Sequence, residues 1–434
     1  MTEEIETRLA MIQAGKVPEG YVSVSSGVIP QEWSDKRMSD VIVQIKETAG
    51  NKQYETLSIS AGIGFVNQAK KFGREMAGAQ YSKYIVLHRG DFSYNKGNSN
   101  KYPQGCIYRL NDREEAAVPN VFESFRFLSL NSDYYEQLFI SGYLNKQLDS
   151  KINHGVRDDG LLNLTANDFY SCHLPIPPLP EQQKIAEILT QCDKVMALKQ
   201  RKIDELKQLK KACLDKMFPK DGSNVPEIRF PGFSDAWEQR KLGEMSTFIT
   251  KGATPTTYGF AWVESGIPFF RNDSIKDNRF VYGEYSYISA DAHAAIERSE
   301  IHGDDILIAI TGDIGKVGIV PQDIEKANIN QHMARVRVVK NALPYFVYQY
   351  LSTEEKQTEY QKIKTGISMP QLSLEQIRDT SIISPTIVEQ TKIADFFYTL
   401  DHLITLHQRE LEERQKYKKA LMQLLLTGIV RVKV

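Results

Sequence analysis

The stretch Thr311-Gly-Asp-Ile-Gly315-Lys316-Val317 comes nearest to a chemical motif in this 434-residue chain. Glycines followed by a lysine can turn backbone N–H groups and an ammonium toward a phosphate. The spacing fails for nucleotide hydrolysis, which needs four residues between the glycines and a Ser or Thr after the lysine to hold magnesium. Here only Asp313 and Ile314 separate them, and Val317 follows. The stretch reads as a tight turn that presents N–H groups and Lys316, suited to a DNA phosphate.

Other reaction chemistry is also missing. The eight histidines (88, 154, 173, 293, 302, 332, 402 and 407) have no zinc-ligand spacing with Cys or acids. The four scattered cysteines form no Cys-x-x-Cys pair and read as free thiols of a reducing cytoplasm. There is no Gly-x-Ser-x-Gly elbow, no Asn/Asp-Pro-Pro-aromatic tetrapeptide and no Phe-x-Gly-x-Gly. Glu205-Leu-Lys207 lacks a strand setting and reads as a solvated charge pair. No catalytic residue and no metal ligand is assigned, and the chain is expected to be no enzyme by itself.

What remains is a set of groups suited to reading DNA: planar donors and amides for base edges, with lysines and backbone N–H groups for phosphates. The candidates are Lys70, Lys71, Arg74, Arg89, Tyr94, Lys96, Lys101 and Tyr102, then Arg271, Asn272, Lys276, Arg279, Lys316, Gln331 and His332. The net charge of −1 argues against indiscriminate coating of nucleic acid. The charge is unevenly spread. Residues 65–113 carry nine Lys or Arg against three acids, and Lys326–Ser352 carries four against none.

These loops need a scaffold, and the chain spells its scaffold twice. Glu181-Gln-Gln-Lys-Ile-Ala returns as Glu389-Gln-Thr-Lys-Ile-Ala, 208 residues later, and the register holds through Lys210-Lys-Ala and Lys418-Lys-Ala. Each copy has an apolar stripe at helical spacing. Ile185, Ile188, Val195, Leu206 and Leu209 in the first copy, with Ile393, Phe396, Leu400, Leu411 and Leu421 in the second, are the candidates for helix pairing or partner docking. Two long one-sided helices suggest an antiparallel coiled-coil-like pair and a pseudo-twofold axis. Strands are expected at 41–45, 57–59, 84–87 and 106–110, with helical spacing over 122–148. The fold class is α+β. The boundaries are a globular part over 1–180, a helix over 181–218, a linker over 219–228, a second globular part over 229–385 and a helix over 386–434. No apolar run approaches a membrane span, and the acidic start argues against a signal peptide.

Pro178-Leu-Pro-Glu181-Gln-Gln-Lys-Ile-Ala186, its second copy from Glu389, and the two openings Gly27-Val-Ile-Pro-Gln-Glu-Trp33 and Phe230-Pro-Gly-Phe-Ser-Asp-Ala-Trp237 resemble the specificity subunits of type I restriction-modification systems. The resemblance implies two target-recognition domains that read the halves of a bipartite double-stranded DNA target, with helices as a conserved spacer. It implies two modification subunits, which methylate adenine, and restriction subunits as partners, with no membrane. S-adenosylmethionine, ATP and magnesium would belong to those partners, no cofactor to this chain, and the location would be cytoplasmic. A standalone restriction or methylation enzyme with degenerate motifs, or a coiled-coil protein adaptor, is the alternative.

Overall fold

A computed structural model describes residues 3–74, 76, 78–97, 102–153, 161–220, 222–283, 285–339, 341–366 and 370–433. Candidate Lys101 and His154 lie outside them. The chain forms two compact units, Met1–Lys199 with Glu410–Val434, and Gln200–Arg409. The expected boundaries fall at helix ends. The units instead divide inside both long helices, Leu179–Lys216 and Ile387–Leu425.

In the first unit β1 (Ser34–Arg37) pairs with β6 (His173–Ile176). The strands β2 (Ile42–Gln44), β3 (Phe92–Asn95), β4 (Cys106–Arg109) and β5 (Glu123–Phe127) make an antiparallel sheet ordered β2-β5-β3-β4. The helical reading of 122–148 is corrected at its start. Glu-Ser-Phe-Arg-Phe alternates with period two, and the chain turns helical only after Asn131 caps α1 (Ser132–Ile140) by accepting from the Tyr134 N–H. Phe92, Phe125, Phe139 and Phe169 pack with Ile185, Leu189, Met422 and Leu425 into one core, so the sheet and both long helices share it.

The second unit repeats this frame. Strand β7 (Glu238–Lys241) pairs with the last strand, Ser381–Ser384. The strands β8 (Ser246–Lys251), β11 (Ile306–Ala309), β12 (Val317–Ile319) and β13 (Met333–Val338) form an antiparallel sheet ordered β8-β13-β11-β12. Between β8 and β11 runs a hairpin, β9 (Ile275–Lys276) and β10 (Arg279–Phe280). The match reaches single hydrogen bonds. Asp91 accepts from the His88 N–H at 2.8 Å and from Arg126 at 2.8 Å. Asp305 accepts from the His302 N–H at 2.9 Å and from Arg337 at 2.7 Å. The globular parts have drifted in sequence and kept one architecture.

Within each unit the start of one long helix lies against the end of the other, antiparallel. In the first, Asp193 receives Lys418 at 2.6 Å, and Lys199 meets Glu410. In the second, Asp401 receives Lys210 at 2.8 Å, with Tyr345 and Gln349 donating to the same carboxylate. Lys210 and Lys418 are buried. Removal from water pulls the Lys210 pKa down, and Asp401 partly offsets this. Other residues identical between the copies act alike. Gln182 accepts from the Asn131 N–H and Gln390 from the Leu343 N–H, both at 3.0 Å. Glu181, buried at its helix start, receives Trp33 at 2.9 Å and a fork from Arg431, while Glu389 receives a fork from Arg229 at 2.7 Å.

Of the stripe residues, Ile185, Leu206, Ile393, Leu400 and Leu411 are buried, and Ile188, Val195, Phe396 and Leu421 are half-buried. Leu209 is exposed and takes no part in helix pairing, because Lys210, one turn beyond Leu206, takes the inward position against Asp401.

Replacing one member of a buried pair strands the other charge, at a cost of about 3–5 kcal/mol. Asp401→Ala is therefore expected to lower stability by that order in denaturant unfolding. Asp193→Ala should cost less, since its side chain is 40% exposed. Equal losses would contradict this assignment.

Candidate nucleic-acid interface

In the second unit the β9–β10 hairpin turns on Asp277 and Asn278, both at positive φ (50° and 53°), the geometry of a two-residue hairpin that matches strand twist. The turn is pinned: Asn278 Oδ1 accepts from the Val317 N–H at 3.1 Å, and the Tyr348 hydroxyl donates to its carbonyl. The hairpin forms one side of a cleft of about 1020 Å³ whose other side is the first long helix. Lys276, Arg279 and Lys316 line it together with Lys207, Lys210 and Lys211 of that helix.

Not all six cations are available. Lys210 and Arg279 bind Asp401, with Arg279 also on Gln408 at 3.2 Å, and Lys211 lies 3.2 Å from Glu354. Arg279 thereby ties the hairpin to the helices while still lining the cleft. Lys207, Lys276 and Lys316 have no acid partner among the described residues, so the cleft keeps a positive surplus suited to phosphates.

Three separate stretches of the second unit also meet at the ends of strands. The Asn330 N–H donates to the Phe270 carbonyl at 3.1 Å, and the Ile310 N–H to the His332 carbonyl at 2.9 Å. Thr311 Oγ1 lies 2.7 Å from His332 Nδ1, and Gln331 meets both Thr254 and His332. Gly312 is held at φ 71°, where a Cβ would come 3.2 Å from Asn272 Nδ2. Arg271, next to Asn272, donates to Ser286 at 3.0 Å and lies 5.0 Å from the Trp262 ring. Asn272, Gln331 and His332 thus lie on stretches that meet, with Arg271 adjacent to Asn272 in the chain, and supply amides and base-edge donors.

The first unit's candidates converge less. Lys70, Lys71 and Arg74 share the short helix Gln68–Phe72 and the turn after it, and all three are exposed. Lys71 reaches back to the Ile59 carbonyl at 3.2 Å. Arg89 pairs with Glu114 at 2.7 Å. Lys96 is corrected: it is half-buried and pairs with Glu123 at 3.0 Å. Tyr94 is corrected more firmly. It is fully buried, stacked on Phe169 with centroids 4.4 Å apart, and its hydroxyl donates to the Gln104 carbonyl. Burial raises its pKa far above the usual phenol value. Tyr102 sits near Gly62, its hydroxyl 3.0 Å from where a Cβ would stand.

A family model described as "Type I restriction modification DNA specificity domain" matches residues 30–208 and again 234–414. The chain belongs to this family. It is 24% identical to the MjaX specificity subunit assigned to a type I restriction enzyme of Methanocaldococcus jannaschii, over 96% of this chain and 97% of that one. It is 26% identical to the type I restriction enzyme MjaVIII specificity subunit of the same organism, over 67% of this chain and 70% of that one. The fold matches the crystal structure of a type I restriction-modification system S subunit from M. genitalium with a TM-score of 0.56, at 15% identity, over 91% of this chain and 96% of that one.

A type I specificity subunit is the non-catalytic, DNA-reading member of its system, which fits the absence of reaction motifs from the sequence. Its two family matches end inside the two long helices, where the compact units also divide. Sequence reasoning missed Lys207 and Lys211 as cleft residues, and Asp193, Lys418, Asp401 and Lys210 as the polar ties. The signal was present, since these four are identical between copies at surface-like helix positions.

Lys276→Ala and Lys316→Ala should each lower DNA affinity and reduce the slope of log K against log salt by about 1. Tyr94→Phe should leave that slope unchanged and lower only thermal stability. A Tyr94→Phe effect on the salt slope, with none from the two lysines, would invert this assignment.

Proposed function

We propose that this specificity subunit reads a bipartite DNA target, one half with each unit, and docks one modification subunit beside each. The observation that carries this reading is the frame used twice with unlike loops: the same sheet order and the same Asp–His–Arg tie, with different side chains at the strand ends. A scaffold that stays fixed while its loops change suits two readers of two different half-sites. The modification subunits would bring S-adenosylmethionine and methylate adenine, and restriction subunits would bring ATP and magnesium. The complex would work in the cytoplasm. In keeping with that, no described helix is long and apolar enough to cross a membrane.

Docking of two like partners is supported by exposed apolar residues that repeat with the 208-residue offset. Leu179 and Ile387, Leu198 and Leu406, and Leu209 and Tyr417 are matched pairs, and all six are exposed. Single exposed apolar residues need no explanation, but three pairs kept apolar and exposed in both copies suit a surface that a partner covers. Leu198→Glu combined with Leu406→Glu should abolish co-purification with modification subunits while leaving the melting temperature and DNA binding of the isolated chain intact. Undiminished assembly would remove this face from the interface.

The helices also suggest a ruler. Lys210 follows Asp193 by seventeen positions, and Lys418 follows Asp401 by the same seventeen. Lengthening one helix alone would put the two ion pairs out of step. One turn inserted after both Leu198 and Leu406 is expected to lengthen the unread spacer of the target, by about 5 Å of duplex or one to two base pairs, with both half-sites unchanged. Selection of bound duplexes from a randomised pool measures this. An unchanged spacer would contradict the ruler.

A further inference from the structure

Arg335 lies on β13 in the second unit, only 4% exposed. Among the described residues its guanidinium makes no hydrogen bond and no ion pair, and its Nε is enclosed without an acceptor. The guanidinium carbon sits 4.6 Å from the centroid of the Phe248 ring. An arginine does not give up its proton in a protein, and a buried cation without a partner is a costly arrangement. Burial is the largest influence on this group and pulls its pKa down against the attraction of Asp305.

The two carboxylates whose charge acts most on Arg335 are engaged elsewhere. Asp305 takes a fork from Arg337, with both bonds at 2.7 Å. Glu300 lies between His293 at 3.0 Å and His302 at 2.5 Å. Arg335 instead lines a pocket of about 420 Å³ whose other charged or titratable side chains are Arg298, Arg337, His302, Glu297 and Glu300.

The first unit shows that the frame does not require this arginine. Arg126, on the tie to Asp91, corresponds to Arg337, so the residue two before it, Ser124, corresponds to Arg335. Ser124 is buried and satisfied by the Ser93 hydroxyl at 3.1 Å. The same sheet therefore forms with a small neutral residue there. In the second unit a forked cation replaces it and lines a pocket. A guanidinium fork matches a phosphate, which can accept two parallel N–H bonds and supply the missing charge.

We infer that this pocket holds a phosphate group on the Arg335 fork, a site that only the second unit carries. The phosphate comes either from the backbone of bound DNA, which rests on the proposed DNA-reading function, or from a free phosphate in solution.

The full-length chain is tested beside Arg335→Ser, the residue of the other frame, and Arg335→Lys, which keeps the charge without the fork. Melting is followed in chloride, in inorganic phosphate and in acetate at equal ionic strength. In chloride, Arg335→Ser should melt higher than the parent, since the unpaired cation is gone. Phosphate should raise the parent's melting temperature, raise Arg335→Lys less and leave Arg335→Ser unmoved. On a duplex selected from a randomised pool, Arg335→Ser should reduce the salt slope by about 1 if the DNA backbone is the source. An unchanged slope with the phosphate shift retained assigns the site to free phosphate. Phosphate shifts equal in parent and Arg335→Ser, or a shift by acetate equal to that by phosphate, would overturn the inference. A parent chain with no sequence preference on DNA would instead overturn the DNA-reading function, and the melting arm judges the pocket independently.

Discussion

An ammonium taken out of water between two helices is destabilising unless a carboxylate meets it in good geometry. This chain does that twice, with Lys210 on Asp401 and Lys418 on Asp193. The two pairs are copies of each other with the roles of the helices exchanged. Apolar stripes alone tolerate sliding, because one leucine packs much like another. A buried ion pair does not, and a slip of one turn would leave two charges stranded. The pairs therefore fix the antiparallel register that the stripes only favour. Each carboxylate is also tied to its own unit. Gln137 donates to Asp193 and Gln349 to Asp401, both from the helix that follows the sheet. Register of the helices and seating of each sheet on them are set by the same two carboxylates.

This explains which residues the two copies share. Glu181, Gln182, Asp193 and Lys210 recur unchanged because each makes a directional contact that a similar residue would not replace. The apolar positions vary more freely, as buried Ile203 becoming buried Leu411 shows, since packing accepts volume-conserving exchange. In the globular parts the Asp91 and Asp305 ties recur while most of the strand residues around them differ.

The long helices and the absence of catalytic motifs were legible from sequence, because long periodic runs and spacing rules are local. The repeat of the globular frame was not, since its shared content is a short His–Asp turn and an Arg far along the chain from it. Tyr94 reads as a loop residue because Gly90, Asp91 and Asn95 punctuate its stretch, whereas it lies on β3, which is buried on both faces with its serine matched to Ser124. Lys96 and Arg279 looked like free cations because their partners, Glu123 and Asp401, are distant in sequence. Arg271, Asn272, Gln331 and His332 were legible as polar loop residues, and the meeting of their stretches follows from a sheet topology that no local pattern encodes.

The account as a whole stands on one measurement, the map of methylated adenines in the genome of a host that expresses this chain with its modification subunit. It predicts a single recognition motif made of two specified, unlike half-sites separated by a gap of fixed length and free sequence. A continuous motif, or methylation without sequence preference, would contradict it.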